Sequence, residues 1–363
     1  MKMGQEELKP GPFDNGSNEM NWKSTAAATA LALLASTSLA SADGVLNIFN
    51  WGNYTSPDMI KKFEQQYNVK VTITDYDSND TALAKVRQGG TGFDIAVPSQ
   101  NYLPIWIQEG LVQEVDPSKM ENFKNVAKEW ADPPFDPGRK YSVPWAWGTV
   151  GVVVNTDVYK GDINTWGIIF NTPDELKGKV NVVPEMSDVM AAALHYVGGK
   201  QCDGDKALLK KARDVLVAAK PNWIAMEYNT IEKMGAGDFK ATSDWNGSAL
   251  RQRLAHPQIH YGYPKEGVVV WSDNVVVLKE AKNIDNAKLF LNFLMDPQNA
   301  AMNSAFHRYA NGISGSDKYM PDDMKGAPEV VVPDEVMKTA EYSRTCPPDV
   351  QELYTKIWTE LQK

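Results

Sequence analysis

The feature that most constrains the fold is a run of valines late in the chain. Val268–Val277 contains two Val triplets on either side of Trp271, Ser272, Asp273 and Asn274. β-Branched side chains fit a pleated surface, and a continuous apolar run of this length is typical of a strand covered on both faces. Trp271 and Asp273 are two positions apart, so a strand would point both to the same side. The sequence therefore predicts a buried strand with a carboxylate in its middle.

That carboxylate has two interpretations. Asp273 could cap a turn between two short strands, which would make it a local structural residue. It could instead belong to a cation site, where Trp271 supplies a π-face and Asp273 the opposite charge. A buried carboxylate needs a partner in either case.

Length and charge limit the classes of function. At 363 residues the chain is long for one core, which favours two domains. The net charge of −9 argues against a nucleic-acid-binding surface and is compatible with a cationic ligand. No nucleic acid is therefore expected among the partners.

The N-terminal part has the features of a secretory signal. Residues 1–42 are interpreted as a polar extension followed by a signal peptide over about residues 20–42. Its apolar segment, Ala26–Leu39, is short for a bilayer span and precedes the small-residue cleavage site Ala40-Ser41-Ala42. The predicted mature protein begins at Asp43 and enters an oxidising compartment. There, Cys202 and Cys346 would form one disulfide or remain two buried thiols.

The first half of the mature chain alternates strands and helices. The predicted elements are strand Val45–Asn50, a helix capped by Ser56, strand Val69–Tyr76, helix Ser78–Arg87, strand Phe93–Val97 and helix Tyr102–Glu109. This order predicts an open α/β sheet, in which ligands bind at the carboxyl ends of the strands. Trp51, Tyr54 and Ser99 lie at such ends and are candidate ligand contacts.

A second α/β unit follows a crossover. The Trp- and Pro-rich segment 128–148 is predicted to be a loop that leads into strand Thr149–Asn155. Strand Val180–Val183 is then followed by a turn in which Ser187 would cap the next helix. Asp188 in the first helical turn suits the helix dipole, whereas Glu185 has no such local explanation.

Catalytic motifs are scarce. The four histidines are scattered, and the sequence contains no HExxH, no GxSxG and no phosphate-binding loop. The chain is therefore predicted not to be an enzyme and to need no cofactor or metal. A secreted enzyme that uses Glu185, Asp188 and Asp273 as acid/base groups is the alternative from a different class.

The strand-end aromatics and acids, taken with their neighbours, resemble a known family. The motifs are Asn50-Trp51-x-x-Tyr54, Asp94-x-x-Val97-Pro98-Ser99, Trp245-Asn246-Gly247-Ser248, Pro264-Lys265-Glu266-Gly267 and Trp271-x-Asp273. In this order they are similar to the periplasmic spermidine/putrescine-binding proteins of ABC importers, over nearly all of residues 44–362. A binding protein for another small organic cation or amino-acid derivative is the alternative within this class.

The resemblance implies a fold. It is the α/β, two-lobed periplasmic-binding-protein fold of type II, in which each lobe is a mixed β-sheet flanked by helices. The expected lobe 1 comprises residues 43–148 and 272–322, and lobe 2 comprises residues 149–271 and 323–363. The ligand would lie in the interlobe cleft, and the lobes would close over it.

The resemblance also implies roles for individual residues. An aromatic box for the methylene chain would comprise Trp51, Tyr54, Trp245, Trp271 and Tyr309. Three acids would neutralise the amines: Glu185, Asp188 and Asp273. Ser99 and Asn101 would add contacts from lobe 1, Asn101 standing where spermidine binders tend to have Tyr. Expected partners are the polyamine and the permease subunits of an ABC transporter, with the binding protein a monomer.

Departures from the family pattern leave the polyamine unspecified. Asp188 stands where the family has Glu, so its reach is shorter. Ser248 occupies a place that putrescine binders fill with Asp. Arg344 aligns with a Gln that contacts ligand, and a cation at that place would repel an amine unless it points away.

Overall fold

The computed structural model describes residues 44–363. Ten strands lie in this part of the chain: β1 (Gly44–Trp51), β2 (Val69–Tyr76), β3 (Ile95–Ala96), β4 (Ser142–Asn155), β5 (Val180–Asn181), β6 (Trp223–Ala225), β7 (Ala241–Trp245), β8 (Ile259–Gly262), β9 (Val269–Val277) and β10 (Glu341–Tyr342). The helices are α1 (Pro57–Tyr67), α2 (Asn79–Arg87), α3 (Leu103–Gln108), α4 (Lys128–Ala131), α5 (Gly167–Phe170), α6 (Met186–Tyr196), α7 (Lys206–Ala219), α8 (Thr230–Ala236), α9 (Asn246–Ala255), α10 (Ile284–Leu294), α11 (Pro297–His307), α12 (Asp334–Thr339) and α13 (Pro348–Leu361). Short 3₁₀ turns occupy Pro117–Lys119, Glu121–Asn125, Asp174–Leu176, Lys220–Asn222 and Ser316–Tyr319.

The strands follow the spatial order β2-β1-β3-β9-β4-β7-β5-β6, with β10 paired to β9 and β8 paired to β4. β1 is parallel to β2 and β3, and β5 is parallel to β6 and β7. β4 and β9 run antiparallel to each other between these two parallel groups. Each group thus presents the carboxyl ends of its strands at one edge, which is where a ligand site is expected.

β4 connects the two groups. Its first part, Ser142–Thr149, pairs with β9, and its second part pairs with β7 and β8. The prediction of a loop up to residue 148 is therefore wrong for this segment. Proline normally interrupts a ladder, but the register shifts between Pro144 and Ala146, and that irregularity accommodates the missing amide hydrogen.

β9 confirms the strand predicted around Asp273. All nine of its residues are buried, and the strand is continuous through Trp271 and Asp273. Asp273 therefore does not cap a turn between two short strands, and that interpretation is wrong.

Two predicted strands are shorter than expected because side chains take over their hydrogen bonds. The Val97 carbonyl, just after β3, accepts from the Trp51 indole and the Tyr76 hydroxyl instead of a ladder amide. The Val183 amide, after β5, donates to the Ser243 hydroxyl. Both strands therefore end one or two residues early.

Helix starts were predicted well where a side-chain cap exists. Ser56 accepts from the Met59 amide, and Ser78 accepts from the Thr81 amide, so both cap their helices. The prediction for Ser187 is wrong. α6 begins two residues earlier than predicted, at Met186, and the Ser187 hydroxyl donates to Glu185 at 3.0 Å.

Cys202 and Cys346 form a disulfide with their Cα atoms 5.0 Å apart, which confirms the pairing and removes the two-thiol alternative. The bond joins the segment before α7 to the segment between β10 and α13. The predicted extension and signal peptide lie outside the described residues. Among residues 44–363, no helix combines the length and the apolar character needed to cross a bilayer.

Candidate functional site

One cavity collects the predicted residues. It lies where the carboxyl ends of β1, β3 and β7 face β9. Its lining residues are Trp51, Tyr54, Asn79, Ser99, Asn101, Glu185, Ser187, Asp188, Tyr228, Trp245, Trp271, Asp273, Tyr309 and Ser343. All ten residues named from the sequence are in this set, so the structure brings them together. Their contact with a ligand remains a prediction.

One wall of the cavity is an aromatic group of three rings. Trp51 ends β1, Trp245 ends β7, and Tyr228 precedes α8. The ring centroids of Trp51 and Trp245 are 6.0 Å apart, and Tyr228 lies 6.3 Å from Trp51 and 5.7 Å from Trp245. Such a wall can cover an aliphatic chain and attract a positive charge.

A second aromatic group comprises Tyr54, Trp271 and Tyr309. The ring centroid of Tyr309 lies 5.5 Å from that of Tyr54 and 5.0 Å from that of Trp271, and the rings are nearly perpendicular in both pairs. The Tyr309 hydroxyl is fixed by Ser248, through a 2.8 Å hydroxyl contact and a 3.2 Å bond from the Ser248 amide. A Cβ on Gly247 would lie 2.4 Å from the Tyr309 ring, so this close approach requires glycine.

Asp273 lies on β9 beside this second group. Its carboxylate accepts from the Ser99 hydroxyl at 2.6 Å and the Tyr54 hydroxyl at 2.9 Å. Burial raises the pKa of Asp273 to about 7, against the effect of these two hydrogen bonds, and the charge of Asp188 raises it further. Two hydroxyl donors are thus too few to stabilise the ionised form fully.

Glu185 and Asp188 lie at the start of α6. Asp188 is half-buried and accepts from the Trp245 indole at 2.9 Å, while desolvation raises its pKa to about 7. Glu185 is 3% exposed, and burial, together with the charges of Asp188 and Asp80, raises its pKa well above the usual range. The charge of Asp188 therefore adds to the cost of ionising both Glu185 and Asp273.

No protein cation compensates them in the described part of the chain. The cavity lining contains no Lys, Arg or His, and none of the ion pairs formed by residues 44–363 involves these three acids. Arg344 points away from the cavity, and its guanidinium donates to the Gln201 carbonyl at 2.7 Å. The site is thus built for a positive charge that the protein does not supply.

The two strand groups contact each other around the cavity. The main-chain N–H of Asn79 donates to Glu185 at 3.1 Å, and the Tyr228 hydroxyl donates to the Gly52 carbonyl at 3.0 Å. Most of the residues that line the cavity are buried. A bound molecule would therefore be largely surrounded by protein.

Four lining residues were missed by sequence reasoning: Asn79, Ser187, Tyr228 and Ser343. Asn79 and Tyr228 adjoin helix starts and could have been found by extending the strand-end rule to the next few residues. Ser187 lies in the predicted turn, where the sequence indicates a helix cap and not a residue that lines the cavity. Ser343 follows β10, a two-residue strand with no pattern of its own, so the sequence contained no signal for it.

Comparisons with known proteins agree with this geometry. A model of the bacterial extracellular solute-binding protein family matches residues 58–331. The putrescine-binding periplasmic protein of Pseudomonas aeruginosa is 28% identical over 359 residues, covering 94% of this chain and 98% of that protein. The spermidine/putrescine-binding periplasmic protein of Escherichia coli is 32% identical over 274 residues, covering 75% of this chain and 78% of that protein.

A solved structure extends the similarity to the fold. It comes from Listeria monocytogenes, is provisionally assigned to a spermidine/putrescine ABC transporter, and superposes with a TM-score of 0.82 at 31% identity. The alignment covers 88% of this chain and 98% of that one. The type II α/β fold is thereby confirmed, as is the expectation of a solute-binding protein rather than an enzyme. This chain belongs to the bacterial extracellular solute-binding protein family.

Proposed function

We propose that the protein captures polyamines, putrescine or spermidine or both, and delivers them to the permease of an ABC transporter. One observation carries the proposal. Glu185, Asp188 and Asp273 surround a cavity lined by aromatic rings, and no described cation neutralises them. A flexible aliphatic polycation supplies the missing charges and the apolar surface that the rings would cover.

The expected energies are sufficient for a specific ligand. Each aromatic contact with a cation contributes about 0.5–2 kcal/mol. A micromolar dissociation constant requires about 8 kcal/mol in total. Several aromatic contacts and two or three charge-assisted hydrogen bonds reach this value after the cost of ordering the ligand.

The chemistry of the lining disfavours the alternative of an amino-acid derivative. Such a ligand has a carboxylate, which needs a cation or several aligned donors. The lining residues supply carboxylates, hydroxyls, amides and indoles but no cation. The carboxylate of such a ligand would also be repelled by Asp273 or Glu185, which have no neutralising cation among the described residues.

The ten residues predicted from the sequence would divide the work by chemistry. Methylene groups would pack on Trp51, Tyr54, Trp245, Trp271 and Tyr309. Ammonium groups would bind Glu185, Asp188 and Asp273, with Ser99 and Asn101 as polar neighbours. An ammonium beside Asp188 or Asp273 would restore the ionised carboxylate, because an opposite charge lowers the pKa that burial has raised.

We also propose that the two strand groups are mobile lobes. Residues 43–148 and 272–322 would form one lobe, and residues 149–271 and 323–363 the other. β4 changes its pairing partners after Thr149, and β9 pairs with β10 up to Val270, which supports hinges close to these boundaries. The lobes of a monomer would close over the ligand after secretion directed by residues 20–42.

The experiment is a calorimetric titration of protein purified from the periplasm of an expressing bacterium. Putrescine, cadaverine, spermidine and spermine would be tested separately, with tryptophan fluorescence as a second signal. At least one polyamine should bind with micromolar affinity or better and remain chemically unchanged. Absence of heat and of a fluorescence change with all four would overturn the proposal.

A further inference from the structure

Asn79 occupies a junction between the two halves of the cavity. It is the first residue of α2 and is 2% exposed. Its side chain exchanges two hydrogen bonds with Ser99: the amide donates to the hydroxyl at 3.0 Å, and the Ser99 main-chain N–H donates to the amide oxygen at 3.0 Å. Its own main-chain N–H donates to Glu185 at 3.1 Å. Asn79 thus bonds to Ser99, which supports Asp273, and also bonds directly to Glu185.

The first set of contacts fixes the direction of a hydroxyl. Because the Ser99 oxygen receives a hydrogen from Asn79, its own hydrogen is directed to Asp273, where the bond measures 2.6 Å. Asp273 is thereby held in the orientation that also accepts from Tyr54. Loss of the Asn79 amide would leave the Ser99 hydroxyl free to rotate away.

The second contact crosses the cleft. Glu185 precedes α6, in the opposite strand group, and lies against the amino-terminal end of α2. The first amides of a helix have no partner within the helix, and a carboxylate is favourable there. Ser78 caps α2 by accepting from the Thr81 main-chain N–H, which leaves the main-chain N–H of Asn79 available to Glu185. This bond exists only while the two halves are in contact.

We propose that Asn79 is a positioning residue that couples closure of the cleft to recognition of the ligand. This inference rests on the proposed function, polyamine binding by closing lobes. Its side chain sets Asp273 for an ammonium, and its main chain retains Glu185 once the halves meet. Asn79 needs no direct contact with the ligand for either effect.

The coupling has a kinetic signature. The contact with Glu185 forms after the ligand has entered, so its loss acts mainly on the dissociation rate. Asn79→Ala keeps the main-chain N–H and loses only the side-chain bonds to Ser99, whereas Asn79→Pro, which is tolerated at the first helical position, also loses the N–H that donates to Glu185. Each should raise the rate of putrescine or spermidine release, and Asn79→Pro should raise it about 10-fold more than Asn79→Ala, the effect expected for a hydrogen bond to a charged group. The association rate should stay within about 2-fold of the wild type. Stopped-flow tryptophan fluorescence measures both rates.

A double-mutant cycle tests the positioning role directly. Glu185→Leu removes the acceptor across the cleft, so the difference in affinity between Asn79→Pro and Asn79→Ala should be smaller in that background than in the protein that keeps Glu185. A difference between Asn79→Pro and Asn79→Ala that is the same in both backgrounds within about 2-fold would overturn the inference. A release rate for Asn79→Ala equal to that of the wild type would also overturn it.

Asn286→Ala is the matched control. Asn286 is also a buried asparagine, but its amide donates to the Val45 carbonyl, away from the cavity. Asn286→Ala should lower the melting temperature without changing the release rate. If Asn286→Ala raised the release rate as much as Asn79→Ala does, Asn79 would act only through general stability. If the wild type binds none of the four polyamines, the proposed function fails. If the wild type binds and Asn79→Ala binds identically, only the positioning role fails.

Discussion

Asp273→Asn separates a binding carboxylate from a structural one. The substitution keeps the shape and removes the charge. Asn can still accept from the Ser99 or Tyr54 hydroxyl, which donate to Asp273 in the structure. No ion pair is broken, since Asp273 has none among the described residues. The change therefore alters the charge of the cavity with little effect on packing.

The expected loss of affinity follows from the missing ion pair. Removing one partner of a desolvated charge pair costs about 2–5 kcal/mol, which is about 30-fold to several-thousand-fold in the dissociation constant. Part of this cost arises because the ammonium of the ligand is left without a counter-charge.

Asp273→Asn is expected to lower the affinity but not the stability of the fold. Burial raises the pKa of Asp273 from an ordinary value of 3.8 to about 7. With the halves in contact, as in the structure, the folded protein therefore binds this proton more tightly than the unfolded chain does, so its stability falls as the pH rises from about 4 to about 7. The difference between 3.8 and about 7 corresponds to a loss of about 4 kcal/mol in the free energy of unfolding at pH 8. Asp273→Asn should thus leave the ligand-free protein as stable as the wild type at pH 8, or more stable.

The assay combines calorimetric affinity and melting temperature, both at pH 8. Asp94→Asn is the matched control, because Asp94 is a buried carboxylate that accepts from the Asn47, Lys282 and Asn283 main-chain amides. It should lower the melting temperature and leave the affinity unchanged. A lowered melting temperature with normal affinity for Asp273→Asn would refute the cation-site interpretation.

Three further results are expected. Lowering the pH from 8 to 5.5 should weaken putrescine binding, because Asp188 and Asp273, each with a pKa of about 7, must release protons before pairing with an ammonium. Calorimetry in buffers of different ionisation enthalpy measures this proton release. An affinity that does not change with pH would contradict the prediction. Small-angle scattering should show a smaller radius of gyration with saturating spermidine, and an unchanged profile would count against closing lobes. Replacing Cys202 and Cys346 together by Ser should lower the free energy of unfolding by about 2–4 kcal/mol, and an unchanged denaturation midpoint would contradict a stabilising disulfide.

Much of the site was visible in the sequence because parallel strands place their carboxyl ends at one edge. Trp51 and Ser99 each follow a strand whose apolar pattern is clear, so their location could be deduced before their neighbours were known. The alternation of side chains along β9 likewise placed Trp271 and Asp273 on one side. These inferences need only local periodicity, which survives in any tertiary arrangement.

Partners across the cleft depended on the tertiary structure. Asn79 and Glu185 are 106 positions apart, and no local pattern indicates that a helix amide of one half meets a carboxylate of the other. The helix start at Met186 and the extension of β4 to Ser142 were likewise set by distant contacts and by a bulge.

The sequence by itself thus determined the strand-end chemistry of the cavity, its aromatic rings and its acids, because side-chain type and strand period are local properties. Only the tertiary structure decided which donors support each acid, that Arg344 points away, and that no described cation compensates the carboxylates. The physical reason is that hydrogen bonds and desolvation depend on distances of a few ångströms between residues that lie far apart in the chain.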